Sequence, residues 1–206
     1  MHLPKPPRFV YLILFLIWVI MGLGFEPGSK SYRGAAESSS RYSLPPEKIR
    51  LDIFKEDDQM SITQYYGNTQ FAASSGGFKS PWHNGIDLEA QLGSPIYSPS
   101  NGRVIAIGNQ DDYCPGKSYG KYILIEDQNH DFSLLYAHIN DTDLDVGDKV
   151  GKGEKVAEVG NNGYATGPHL HLTVFKSDTV EIGDDKSCGP TPRGKDIDPF
   201  DYFDQL

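Results

Sequence analysis

The chain has only two cysteines, Cys114 and Cys188, in 206 residues. That is too few for a disulfide-built scaffold, and without a CxxC pair a cysteine-ligated metal is not indicated. The even number leaves one disulfide open in an oxidising compartment, but sequence carries no distance and the pairing stays undecided. Basic residues are also scarce, 19 Lys and Arg against 28 Asp and Glu, for a net charge of −9. Such a chain lacks the cationic surface that a phosphate backbone requires, which argues against nucleic acid as a partner. No HExxH motif occurs, so a glutamate base of that type is not indicated. Beyond the first 25 residues there is no long segment of helical period either, which leaves an all-β body.

One long apolar run is present. Lys5 and Arg8 precede an almost unbroken apolar stretch from Phe9 to Phe25, and no acidic residue occurs before Glu26. A positive flank followed by a single apolar run is the pattern of an export signal. Its 17 residues are at the lower limit for a helix crossing a bilayer core of about 30 Å. A cleaved signal peptide and a retained membrane anchor both fit. No cysteine follows closely, which argues against lipoprotein processing, and the small residues Gly34, Ala35 and Ala36 lie far downstream for cleavage. The positive flank predicts that the rest of the chain is exported.

The organisation that follows is an export segment or anchor over residues 1–25, a Ser- and Gly-rich flexible linker over 26–46, and one domain over 47–206. In that domain, β-like runs alternate with turn signals: PIYSP, GRVIAIGN, KYILIED, FSLLYAHI, KVAEVG and LHLTVFK. Asp127 to His130 (DQNH) reads as a hairpin turn. Gly147, Gly151 and Gly153 suggest tight turns with positive φ in a compact barrel or sandwich. Similar glycine-rich stretches occur in lipoyl- and biotin-carrier modules, but no convincing context for a modified lysine is present.

Four of the six histidines fall in three tight contexts: His83 in PWHNGIDLEA, His138 in LYAHIN, and His169 with His171 in TGPHLHLTV. His2 and His130 lie in the leader and a polar turn, where solvated roles suit them. Imidazole nitrogen and carboxylate oxygen are good zinc ligands. His169 and His171 are two apart in a β-like run, so both project from one face, with Cα atoms roughly 6.6 Å apart. One can bind a metal while the other faces a neighbouring bound group. His83 and Asp87 would be about 13 Å apart on a straight strand, too far for one ion, so the chain must bend, and Asn84-Gly85 is a natural place.

With HNGID, YAHI, GDKVGKGEKVAEVGNNG and TGPHLHLTV in this order, the chain from about Ser61 onward resembles the lysostaphin/LytM-type zinc endopeptidases, peptidoglycan hydrolases whose usual ending IDPFDYF also matches. The resemblance implies an antiparallel sheet or barrel-sandwich with a zinc groove, preceded here by an N-terminal apolar helix. It implies one zinc ion held by His83, Asp87 and His171, with a fourth tetrahedral position open to water. It makes His138 and His169 non-ligand catalytic histidines that handle protons or stabilise the oxyanion, with the division between them open. The expected partner is peptidoglycan, cut in its stem peptides or cross-bridges, with membrane contact through the N-terminal segment if uncleaved. The expected location is extracytoplasmic.

Two rival readings have different signatures. Degenerate relatives that lost zinc ligands regulate wall amidases by binding, but here every motif position is filled. A carrier module has no use for H-x-H. Tyr65, Tyr66 and Phe71 suit either a groove wall or the core, and Asn68 and Tyr164 are candidate cleft residues. The loop from Asn109 to Gly120 (NQDDYCPGKSYG) exceeds a tight hairpin and offers Cys114 as a tether to the tail near Cys188, which would shape the groove.

Overall fold

The computed structural model describes residues 52–55, 60–69, 72 and 82–206. The apolar leader, the linker and Phe71 lie outside them. Among the described residues no helix is long and apolar enough to cross a membrane.

The strands are β1 (Ser61–Gln64), β2 (Gly67–Asn68), β3 (Trp82–His83), β4 (Ile86–Glu89), β5 (Pro95–Tyr97), β6 (Gly102–Asn109) and β7 (Lys121–Asp127). They continue as β8 (Phe132–Ala137), β9 (Lys149–Val150), β10 (Lys155–Glu158), β11 (His169–Lys176), β12 (Glu181–Asp185), β13 (Gly189–Arg193) and β14 (Asp196–Ile197), followed by helix α1 (Pro199–Phe203). One sheet runs in the order β1-β4-β11-β8-β7-β6-β9, and β14 pairs with the far end of β11. All of its pairs are antiparallel. Among the described residues there are also three two-stranded ribbons, β5–β10, β12–β13 and β2–β3. All six β-like runs read from sequence are strands, and Asp127 to His130 is the β7–β8 hairpin turn. Gly147 and Gly153 have positive φ as expected, at 102° and 78°. Gly151 does not: its amide instead donates to the Glu154 carboxylate at 2.8 Å, so side-chain capping shapes that turn.

The strand period of two decides which side chains make the core and which face the groove. On β11, Leu170, Leu172 and Val174 are fully buried, and on β4 Ile86 and Leu88 join them. Ile123, Ile125, Leu134 and Tyr136 extend this cluster across β7 and β8. Each such aliphatic residue contributes roughly 1.5–3 kcal/mol by leaving water. The alternate residues, Asp87 and Glu89 on β4 and His169, His171, Thr173 and Phe175 on β11, therefore face the opposite side. α1 locks the C-terminus down: Asp198 caps it by accepting from the Phe200 amide at 3.1 Å, Pro199 opens it, and Phe200 and Tyr202 are buried.

Candidate metal centre

Register brings the expected ligands together. In the β4–β11 ladder His171 stands opposite Asp87. Asn84 and Gly85 separate β3 from β4 and bend the chain so that His83 folds over the same point. Gly85 is required there, because a Cβ would stand 2.9 Å from the Leu172 carbonyl carbon and 3.0 Å from His171 Cε1.

Three donor atoms make a nearly equilateral triangle. His83 Nε2 is 3.0 Å from His171 Nδ1, His171 Nδ1 is 2.9 Å from Asp87 Oδ1, and His83 Nε2 is 3.2 Å from Asp87 Oδ1. Tetrahedral zinc with bonds of about 2.0–2.1 Å separates its ligand atoms by about 3.3 Å. The triangle fits that size. The outer nitrogens anchor the rings: His83 Nδ1–H donates to the Tyr65 carbonyl at 2.9 Å, and His171 Nε2 meets Thr173 Oγ1 at 2.9 Å. With both rings anchored outward, one nitrogen from each imidazole and a carboxylate oxygen converge on one point, a donor set that suits a cation. His83, Asp87 and His171 are a cluster that could hold a metal ion.

The electrostatics agree. Burial opposes ionisation of Asp87, yet contact with His171 and His83 outweighs it and holds the carboxyl well below the usual carboxylate range. Burial pushes His171 below the ordinary histidine value, against the pull of Asp87. Anionic carboxylate and neutral imidazole are the protonation states a metal needs.

His138 and His169 flank the cluster without joining it. Their ring centroids are 4.7 Å apart, and His138 lies 5.8 Å from His171. His138 Nδ1 donates to the Asn162 carbonyl at 2.8 Å and His169 Nδ1 to the Gly167 carbonyl at 2.9 Å, so that in the neutral ring Nε2 carries the lone pair. His169 Nε2 is 3.8 Å from Asp87 Oδ1. His138 follows β8 with a φ of 58°, a left-handed conformation uncommon for a non-glycine residue. Burial, then the nearby rings of His171 and His169, push His138 down to about 3, so it is neutral at physiological pH.

These residues line a cleft of about 700 Å³ that also takes in Tyr164, Tyr119 and Trp82. Tyr164 is thus where sequence placed it. Asn68 is exposed and outside the lining, and Tyr65 and Tyr66 pack against the core. Tyr119 was not foreseen. Its hydroxyl accepts from Asn84 Nδ2 at 2.7 Å, its ring lies 5.7 Å from His171, and burial raises its phenol above the ordinary value. It comes from the long Asn109–Gly120 loop, which Cys114 ties to Cys188 in a disulfide. Gln110 completes the junction, reaching Thr191 Oγ1 at 2.7 Å while accepting from the Tyr119 amide at 3.0 Å. Thr191, Pro192 and Arg193 of β13 therefore stand in the cleft lining beside Tyr119.

An antiparallel β groove floored by a His/Asp/His cluster, with two more histidines above it, defines a candidate metallohydrolase. Comparison with known proteins gives the family: the model of Peptidase family M23 matches residues 81–185, and the chain belongs to that family. It is similar to peptidoglycan DD-endopeptidase ShyB of Vibrio cholerae, 36% identical over 93 residues that cover 45% of this chain and 20% of that protein. The matched segment spans about a fifth of the length of such curated relatives. Among solved structures, LytU aligns at 30% identity and a TM-score of 0.51, covering 72% of this chain and 87% of that one. The catalytic domain of lysostaphin from Staphylococcus simulans aligns with a TM-score of 0.53 at 21% identity, covering 71% and 92%, which shows the shared fold.

Proposed function

We propose that the chain is a zinc-dependent endopeptidase that hydrolyses amide bonds in the stem peptides or cross-bridges of bacterial peptidoglycan. The observation that carries the reading is the donor triangle of His83, Asp87 and His171, sized for tetrahedral zinc beneath two further histidines in one cleft. Bound there, zinc would supply Lewis acidity, acidifying a water and polarising a carbonyl. The chain's own residues do the rest. Tyr65 and Thr173 hold the ligand rings in register. His138 and His169, each with Nδ1 bound to a backbone carbonyl, use Nε2 to handle the proton that moves from the attacking water to the leaving amine, and because burial makes His138 a weak base the first acceptance falls to His169. Tyr119, kept protonated by burial, has a phenol that can donate to the oxygen on which charge develops. The peptidoglycan endopeptidases among the relatives support the substrate class, and the Lys5/Arg8-flanked apolar run supports an extracytoplasmic site of action, secreted or tethered.

The test is clearing of isolated sacculi by zinc-loaded chain, beside His171→Ala and chelator-treated protein. Loss of turbidity is expected only from the zinc-loaded wild type. Folded, zinc-loaded protein that leaves sacculi intact would overturn the enzymatic reading in favour of a binding regulator of a wall amidase.

A further inference from the structure

Trp82 precedes a candidate zinc ligand but does nothing in the chemistry above. It is 42% exposed while His83 beside it is 7% exposed. It nevertheless does not hang loose. Its Nε1–H donates to Asp196 Oδ2 at 3.1 Å, and Tyr66 packs against it edge-on with centroids 5.1 Å apart and planes at 80°. Tyr66 itself reaches the Asp196 carbonyl at 3.3 Å. Gly67 approaches the six-membered ring closely enough that a Cβ there would lie 3.9 Å from Cζ3 and Cη2. The indole is fixed in advance, so a ligand need not order it. Its one polar atom is already satisfied, and what it offers the cleft is hydrocarbon surface.

The neighbours of that surface are polar. Asp196 and Arg193 line the same cleft. The Arg193 guanidinium lies 3.6 Å from the Asp185 carboxylate with both side chains substantially exposed, a weak pairing that a ligand can displace. A rigid aromatic face beside an acceptor and a fork of donors suits a group with an apolar C–H face and a polar rim. A pyranose ring has that form. Peptide edges would find no hydrogen-bond partner on the indole.

We propose that Trp82, with Asp196 and Arg193, forms a saccharide subsite at one end of the cleft, which takes the ring face of an N-acetylated amino sugar of the glycan strand. The proposal rests on the peptidoglycan reading and extends recognition from the peptide to the sugar that carries it.

The sequence holds two tryptophans, Trp18 and Trp82, so full-length Trp18→Phe leaves Trp82 as the sole indole emitter. Titration with the N-acetylglucosamine tetrasaccharide should give a saturable blue shift as the indole loses water, and Asp196→Ala, which releases the ring, should weaken it several-fold. No saturable shift up to the solubility limit would overturn the subsite. In a second arm, cross-linked muropeptides with and without their disaccharides are compared as substrates. Trp82→Ala should reduce the preference for the sugar-bearing substrate about tenfold, and Trp82→Phe should retain most of it. Equal losses on both substrates would assign Trp82 to the peptide or to folding, which zinc affinity and melting temperature then separate. If wild type cuts neither substrate, the endopeptidase reading fails and the titration alone decides the subsite.

Discussion

Gly85→Ala adds one methyl group outside the donor triangle, yet it should weaken zinc binding at the candidate metal centre. The new Cβ would stand 2.9 Å from the Leu172 carbonyl carbon and 3.0 Å from His171 Cε1. Carbon atoms pack comfortably at about 3.5–4.0 Å, so the β3–β4 bend must retreat from β11 by roughly 0.6–1 Å. His83 and Asp87 travel with that bend, whereas His171 stays on β11. Donor separations of 2.9–3.2 Å would then open past the roughly 3.3 Å edge of a tetrahedral zinc site, beyond the ±0.2 Å tolerance of metal–ligand bonds. Overpacking costs about 1–3 kcal/mol, which lowers the melting point by roughly 2–12 °C in a domain of this size. Zinc affinity should fall at least about tenfold more than stability alone explains. Competition against a chromogenic chelator measures the affinity, and thermal melts with and without zinc measure the coupling. A variant that binds zinc within twofold of wild type and melts within a degree would refute the claim that this close approach builds the site.

Other consequences are more local. Tyr202→Phe removes a hydroxyl that donates to Asp127 at 2.7 Å and contacts Ser100 at 2.9 Å, so urea unfolding should show a loss of about 1.5–3 kcal/mol with zinc affinity unchanged. The disulfide spans a sequence separation of 74 residues, and Cys114→Ser should cost about 2–4 kcal/mol. Because it ties the Tyr119 loop to the β13 wall, substrate KM should rise as well, and unaltered kinetics would separate the tether from the groove. Acid should destabilise the metal-free chain. His138 resists protonation down to about 3 when folded but takes a proton near 6.5 when unfolded, so the unfolded state binds more protons as pH falls. Stability should therefore drop by roughly 1.4 kcal/mol per unit below about pH 6.5, and His138→Gln should flatten that slope in urea titrations across pH.

The strands were legible because they are written in short-range pattern, as were the tight His and Asp contexts, whereas the choice of His83, Asp87 and His171 as the ligand set rests on the family resemblance. Leu170, Leu172 and Val174 alternate with His169, His171 and Thr173, and that alternation alone assigns core and groove faces. The impossible span between His83 and Asp87 on a straight strand required the bend that Asn84-Gly85 makes. The β12–β13 ribbon escaped because EIGDD and GPTPR carry little apolar surface and two prolines, which are tolerated only where a ladder is short or at an edge. Tyr119 and Trp82 were hidden for another reason. Their places in the cleft come from where a loop and a two-residue strand land in space, and no local pattern distinguishes a cleft aromatic from a packed one. The Cys114–Cys188 bond likewise depended on a distance that sequence does not hold.

Zinc-dependent hydrolysis of the wall is tested most directly by mass spectrometry of the products released from sacculi in ¹⁸O-enriched water by the zinc-loaded chain, with His171→Ala in parallel. Defined muropeptides bearing one heavy oxygen on a new carboxylate are expected, formed only with zinc and an intact His171, and the labelled carboxylate identifies the bond cut. Muropeptides released without label, or at equal rates by His171→Ala, would contradict zinc-dependent hydrolysis.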